Sequence, residues 1–159
     1  MRHLPKHLRP RWRYLGVDIE AWPDARIDRG QFQRELYYNA QNLIGDVGST
    51  EIDLSVFGFR FENGDGAAVV RVRRDAVERG RAVLACVNSV DDQPVRVTVR
   101  GVSGTVRACE ERYIRRPLER PEERTVAFEN ADRFAFVRER RIAVRTDNGF
   151  AGATDFDIE

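Results

Sequence analysis

Hydrophobic and polar positions divide the chain into segments of two different periods. Leu15, Val17 and Ile19 alternate with Gly16, Asp18 and Glu20, the period of two expected of a strand with one buried face. After Trp22-Pro23 the period lengthens. Asp28 and Gln31 form a capping-box pattern, and Phe32, Leu36, Ala40 and Leu43 recur at helical spacing until Gly45 ends the run. Two strands follow, Ile52 to Phe61 and Ala67 to Arg74, joined through Asn-Gly and Asp-Gly turn signals at 63–66. In the first of them Ile52, Leu54 and Val56 set one phase, and Phe57, Phe59 and Phe61 set the opposite one. A bulge near Gly58, or burial on both faces, reconciles the two. Asp75 and Glu78 make a second capping box, and Ala76, Gly80, Val83, Leu84 and Val87 give the buried stripe of a second helix that ends at Asp91-Asp92-Gln93-Pro94. Val95, Val97 and Val99 then alternate with Arg96, Thr98 and Arg100. At the corner that follows, Ser103 is the expected N-cap of a third helix carrying Val106, Cys109 and Tyr113.

The order strand, helix, strand, strand, helix, strand is the split βαββαβ arrangement of ferredoxin-like and RRM-like folds. It predicts an α/β fold of the α+β sandwich type. An antiparallel sheet has the helices over one face, with an additional C-terminal helix and a basic N-terminal arm. This core takes residues 1–116. Residues 117–159 form an extension: Pro117 and Pro121 bracket a charged linker, 125–142 show no clean period, Asp147-Asn148-Gly149 marks a turn, and 152–159 read as a mobile acidic tail.

Charge changes this picture because it is segregated. The net charge of +1 conceals an arm with Arg2, Lys6, Arg9, Arg11 and Arg13 and no acid, and a C-terminus with Asp147, Asp155, Asp157 and Glu159. Lys6 is the only lysine, so nearly all positive charge is guanidinium, which suits bidentate phosphate contact. The open face of the sheet is expected to carry Arg71, Arg73, Arg96 and Arg100, with Arg60 beside them, and the corner helix adds Arg107. Together with Lys6, Arg9, Arg11 and Arg13, next to Trp12 and Tyr14, these are the candidate RNA contacts, since stacking adds to phosphate neutralisation. The corner itself, with backbone amides, Thr105, Arg100 and Arg107, is a candidate anion site. Phe57, Phe59 and Phe61 fit a core better than a stacking platform.

Other chemistry finds little support. No GxSxG, Walker or HExxH pattern occurs, and the neighbouring acids Asp91-Asp92 and Glu110-Glu111 point apart, so no catalytic residue is expected. His3 and His7 are separated by Pro5 and lack further histidines, which argues against a metal site. Cys86 and Cys109 read as buried reduced thiols. No apolar run approaches the ~18 residues of a membrane span and no secretory signal is visible, so a cytoplasmic location is expected.

RYLGVDIE at 13–20, VFGFRF at 56–61, VVRVRR at 69–74 and above all VRGVSGTVRAC at 99–109 resemble protein component 2 of archaeal ribonuclease P, a family shared with eukaryotic ribonuclease P and MRP. The resemblance covers roughly residues 1–116. It implies an RRM-like fold and an accessory role beside a catalytic RNA that removes the 5′ leader from precursor tRNA with Mg2+. The chain itself would hold no cofactor. It further implies ribonuclease P RNA and precursor tRNA as partners, protein component 3 as a protein partner, and self-association within a heterotetramer. Two readings from other classes stay open on the residues alone. One is a ferredoxin-like regulatory module binding a small anionic metabolite at the Ser103 corner. The other is an interaction scaffold using the sheet edge and the phenylalanines.

Overall fold

The computed structural model describes residues 4–117, 120–138 and 141–158. Arg2, His3 and Glu159, named above, lie outside the described residues. The core runs β1 (Trp12–Ala21), α1 (Arg29–Ile52), β2 (Ser55–Glu62), β3 (Asp65–Arg73), α2 (Val77–Ala85), β4 (Ser89–Val90), β5 (Gln93–Ser103) and α3 (Val106–Cys109), which continues as a π-helical turn, Glu110–Ile114. Its five strands lie in the order β2-β3-β1-β5-β4, and every pairing is antiparallel. This is the split βαββαβ order with the two-residue strand β4 added at one edge.

Alternation along β1 assigns the two faces of the sheet. Leu15, Val17 and Ile19 are fully buried with Val70 and Val72 of β3, against Phe32, Leu36 and Ala40 of α1 and Val83 and Leu84 of α2. The other face carries Tyr14, Gly16, Asp18 and Glu20, and it is not left open. Ala67 and Val69 are covered there by Cys109 and Ile114, with Tyr14 and Tyr113 alongside. The third helix therefore crosses the face opposite α1 and α2. Gly16 and Gly101 are cross-strand partners, and the Tyr113 ring lies directly over both. A Cβ at Gly16 would fall 2.2 Å from Tyr113 Cδ2, and one at Gly101 would fall 2.0 Å from its Oη. Only a strand pair without side chains at these positions admits the ring so close to the backbone.

Local chemistry decides where several elements start and stop. The Asp28–Gln31 capping box is present in both directions, at 2.8 and 2.9 Å. Gly45 does not end α1: with φ 73° and ψ 178° it kinks the helix, which resumes and runs on to Ile52. Ile52 is thus a buried helical residue, and the second strand begins at Ser55. The expected bulge is found between Val56 and Gly58. It swings Phe57 to the far face beside Tyr14, 6.1 Å between ring centroids, while Phe59 packs on Phe32 at 5.8 Å. The turn between β2 and β3 is Asn63-Gly64, both at positive φ, so Asp65 and Gly66 belong to β3.

Three further expectations are corrected. The second capping box does not form, because a 3-10 turn, Arg74–Ala76, precedes α2 and its N-cap Ala76 has no side-chain acceptor. Ser103 is the last residue of β5, and Thr105 caps α3 by accepting from the Ala108 amide at 3.2 Å. Cys86 ends α2 exposed, so only Cys109 is a buried thiol.

Beyond Arg116 the chain forms β6 (Glu122–Phe128), β7 (Ala131–Arg138), β8 (Arg141–Thr146) and β9 (Gly149–Ala153), a four-stranded antiparallel meander. Val126, Ala135, Ile142, Val144 and Ala153 make its own small core, with Ile158 packed against it. The expected turn before Gly149 is there. The segment read as a mobile tail instead opens in β9, and its next residues are held by Asp157, which accepts from the Thr154 amide and hydroxyl at 2.8 Å each. The sequence shows no clean period here because both faces of the meander carry apolar residues: Phe134 and Phe136 point opposite to Ala135 and Val137.

Replacing Gly16 or Gly101 by Ala should cost about 1–3 kcal/mol in denaturant unfolding, because the added methyl overlaps the Tyr113 ring. In a Tyr113→Ala background the same substitutions should cost less, giving a non-zero coupling energy in a double-mutant cycle. Simple additivity would show that the ring does not rest on the glycines.

Candidate nucleic-acid interface

The far face of the core sheet carries positive charge at both ends of β1, with the third helix between them. At the end near the amino terminus, β3 places Arg71 and Arg73 on the same side as Trp12. The Arg71 guanidinium lies 3.7 Å from the Trp12 ring centroid and 4.8 Å from that of Phe57, and Arg73 lies 4.1 Å from Trp12. Guanidinium planes stacked on aromatic rings keep their charge and their edge donors, which is the arrangement a phosphate or a base edge uses. Arg71 Nε is buried with no hydrogen-bond partner among the described residues. Arg73 is drawn 3.7 Å from Asp53, whose φ of 48° ends α1.

The arm leads to this ladder without joining it side by side. Lys6 sits in a short 3-10 turn, Lys6–Leu8, and Arg9 Nε donates to the Leu4 carbonyl at 2.9 Å. The Arg11 carbonyl accepts from the Arg74 amide at 3.0 Å, which anchors the arm against β3. Arg13 is already in β1, registered with Val72, so it occupies the side covered by α1 and α2 and not the side of Arg71.

Arg96 lies toward the other end, opposite Glu20, while Arg100 sits in the register shift opposite Gly16 and Val17 and reaches Asp18 through its side chain. Arg96 is in line with Glu20, eight residues along β1 from Trp12, or roughly 26 Å at about 3.3 Å per residue. The alternation of the strands predicts all these arginines on one surface; the structure brings Arg71 and Arg73 together on Trp12, sets Arg96 toward the far end of β1, and places Arg100 between them, tied to Asp18. Arg107 is exposed on α3 and its Nε donates to Glu111 at 3.0 Å. Arg60, expected beside the same patch, instead donates to the Ile114 and Arg116 carbonyls at 2.6 and 3.1 Å, capping the end of the third helix.

Composition alone gives no sign of Arg116 as an organising residue. Its guanidinium reaches Asp65 and Asp18, each at 3.3 Å, and Asp18 also accepts from Arg100 Nε. Burial by itself would lower the pKa of Arg116, but the Asp65 and Asp18 carboxylates outweigh it and hold the pKa above its ordinary value. Asp65 is 7 % exposed, so Arg116 supplies the charge that a buried carboxylate needs. On the same face burial pushes the Cys109 thiol up to about 11, against a Ser103 hydrogen bond and with Glu110 adding to the rise. The corner helix has four residues and its capping hydroxyl is already engaged by the Ala108 amide, so the corner is a structural cap. Among the described residues no group of three or more His, Cys, Asp or Glu side chains is placed to hold a metal ion, and no helix is long and apolar enough to cross a membrane.

A family model described as the Rpp14/Pop5 family matches residues 13–114. "Ribonuclease P protein component 2" of Natronomonas pharaonis is 64% identical over 158 residues, covering 99% of this chain and 98% of that protein. The protein of the same name from Haloarcula marismortui is 58% identical over 99% of both chains. That of Methanosarcina mazei is 32% identical over 114 residues, which cover 72% of this chain and 93% of that protein. A chain in the cryo-EM structure of yeast ribonuclease MRP aligns at a TM-score of 0.48 and 15% identity, over 61% of this chain and 76% of that one.

The thiols give a direct check on the packing of the far face. A group whose pKa is raised on folding contributes stability below its unfolded value and loses it as pH rises through the folded value. For Cys109 that window runs from about pH 9 to about 11. Unfolding measured across this range should fall less steeply in Cys109→Ala than in the parent, and at neutral pH a thiol reagent should label Cys86 and spare Cys109. Rapid labelling of both would show that the third helix does not cover the sheet.

Proposed function

The chain belongs to the Rpp14/Pop5 family, and from that premise we propose that it is a protein subunit of ribonuclease P that supports the catalytic RNA in removing the 5′ leader from precursor tRNA. The observation that carries this is the 64% identity with a ribonuclease P protein component 2 along essentially the whole of both chains. It works within a ribonucleoprotein, with RNA and protein partners. In this reading the phosphodiester chemistry belongs to the RNA and its Mg2+, and the protein contributes binding and orientation. That division suits a surface rich in guanidinium.

The Trp12–Arg71–Arg73 ladder is the part of the surface best suited to the RNA. Its charge is carried by Arg71, whose Nε has no acceptor among the described residues, and by Arg73, only distantly paired with Asp53. The neighbouring Lys6, Arg9 and Arg11 extend the positive field along the arm. Arg107, paired with Glu111, contributes less. The protein partner is component 3 of the same particle, and a pair of such heterodimers associates through this chain. The metabolite-module reading loses its site, because the corner on which it depends is occupied by its own cap.

Reconstitution tests the reading. Omitting this chain from ribonuclease P RNA and the remaining proteins should reduce precursor-tRNA cleavage or raise the Mg2+ it requires, and adding it back should restore both. Cleavage that is unchanged at every Mg2+ concentration would overturn the assignment.

Titrations of the full-length protein with ribonuclease P RNA test the ladder separately. Arg71→Ala and Arg73→Ala should each weaken binding and flatten the dependence of log K on log salt by about 0.7–0.9 for each phosphate no longer neutralised. An unaltered slope would place the RNA-binding surface elsewhere on the protein.

A further inference from the structure

The meander β6–β9 lies beyond residues 13–114, and it forms one wall of a cleft whose other walls are core elements. Trp22, just after β1, stacks on Phe150 of β9 with centroids 5.7 Å apart and planes 20° apart. Arg141 of β8 pairs with Glu20 of β1. These contacts hold the meander over the end of β1 and β5 where Arg96 and Arg100 lie. Between the two sheets and the third helix is a cleft of about 860 Å³. That is within the range of about 300–1,000 Å³ typical of ligand clefts.

The charges lining the cleft are six arginines against four carboxylates. Each carboxylate already has a donor: Asp18 has Arg100 and Arg116, Asp65 has Arg116, Glu20 has Arg141, and Asp157 has the amide and hydroxyl of Thr154. Arg96 and Arg112, both exposed, have no ion-pair partner among the described residues. The acids are engaged in fixing the wall, and the surplus positive charge faces the opening. Trp22, Tyr113 and Phe136 add aromatic surface to the same lining.

We propose that this cleft binds a single-stranded segment of RNA, with Arg96 and Arg112 on its phosphates and the aromatic lining against its bases. The proposal rests on the ribonuclease P reading for the identity of the polymer, and it adds a site built in part by the C-terminal sheet. Unpaired bases can stack on aromatic side chains, whereas a duplex keeps its bases stacked within itself. An acidic peptide would use the arginines and leave the rings unused. The Arg116–Asp18–Arg100 network serves as the preformed floor: its guanidiniums are already oriented, so little side-chain freedom is lost when the polyanion arrives.

The test uses the full-length protein and a short unstructured oligoribonucleotide, an RNA duplex and poly-glutamate as probes. Arg96→Glu combined with Arg112→Glu should weaken binding of the single strand by tenfold or more and lower its salt slope by about 0.7 for each phosphate released. The double variant should still unfold in one cooperative transition, at a midpoint somewhat below the parent's because Arg96→Glu faces Glu20 across the strands and Arg112→Glu loses its contact with the Tyr113 ring. Unchanged affinity and slope in the folded double variant would overturn the proposal. So would equal loss of duplex binding, or binding of poly-glutamate as tight as that of the oligoribonucleotide. Dependence of the reconstituted holoenzyme on the chain is read independently, so the cleft can fail while the subunit assignment stands.

Discussion

The contact on which the rest of the far face depends is that of the Tyr113 ring with Gly16 and Gly101. Two glycines paired across adjacent strands leave a bare patch of backbone in a sheet otherwise studded with side chains, and the ring fills it. Seated there, the third helix buries Cys109 and Ile114 on Ala67 and Val69 and brings Arg116 to Asp18 and Asp65. Arg60 ties down its end. A methyl group at either glycine would lift the helix from the sheet and with it the Arg116 network on Asp18 and Asp65.

Charge in this protein is divided between guanidiniums that hold the fold and guanidiniums that remain for a partner. Arg60, Arg100, Arg116 and Arg141 belong to the first group, each bonded to a carbonyl or carboxylate within the chain. Arg71, Arg96 and Arg112, which make no ion pair among the described residues, are those proposed for the second role. A chain with a single lysine draws both kinds from one residue type, so identity gives no clue to which role an arginine plays. The difference lies in reach: an arginine near a buried acid such as Asp65 is committed to it, because leaving that carboxylate unpaired destabilises the fold more than a surface ion pair could offset.

The resemblance to a ribonuclease P protein rests on residues 1–116, and the family model and full-length relatives agree with it. The meander lies outside residues 13–114, as an addition at the end of the core sheet. It carries its own small core and meets the core through Trp22 and Glu20. The regular structure of this extension is not legible in its sequence, since its strands are apolar on both faces and the helix and strand periods cannot be separated by alternation alone.

The alternation of Leu15, Val17 and Ile19, the capping box at Asp28 and the Asn63-Gly64 turn determined the strand and helix order, because each acts over a few residues through steric and hydrogen-bonding preferences of the backbone. The phase change across Gly58 was legible too, but it left a bulge and burial on both faces as alternatives, and the pairing with β3 decided for the bulge. What the local pattern could not decide was which side of the sheet the third helix takes, whether Gly45 ends a helix or kinks it, and which of Ser103 and Thr105 is the cap. Nor could it show that Arg71 and Arg96 lie at opposite ends of β1, or that Arg116 meets Asp18 and Asp65 from far along the chain. Those outcomes rest on contacts between residues distant in sequence, where packing of a ring on bare backbone and the pairing of a buried charge outweigh local propensity.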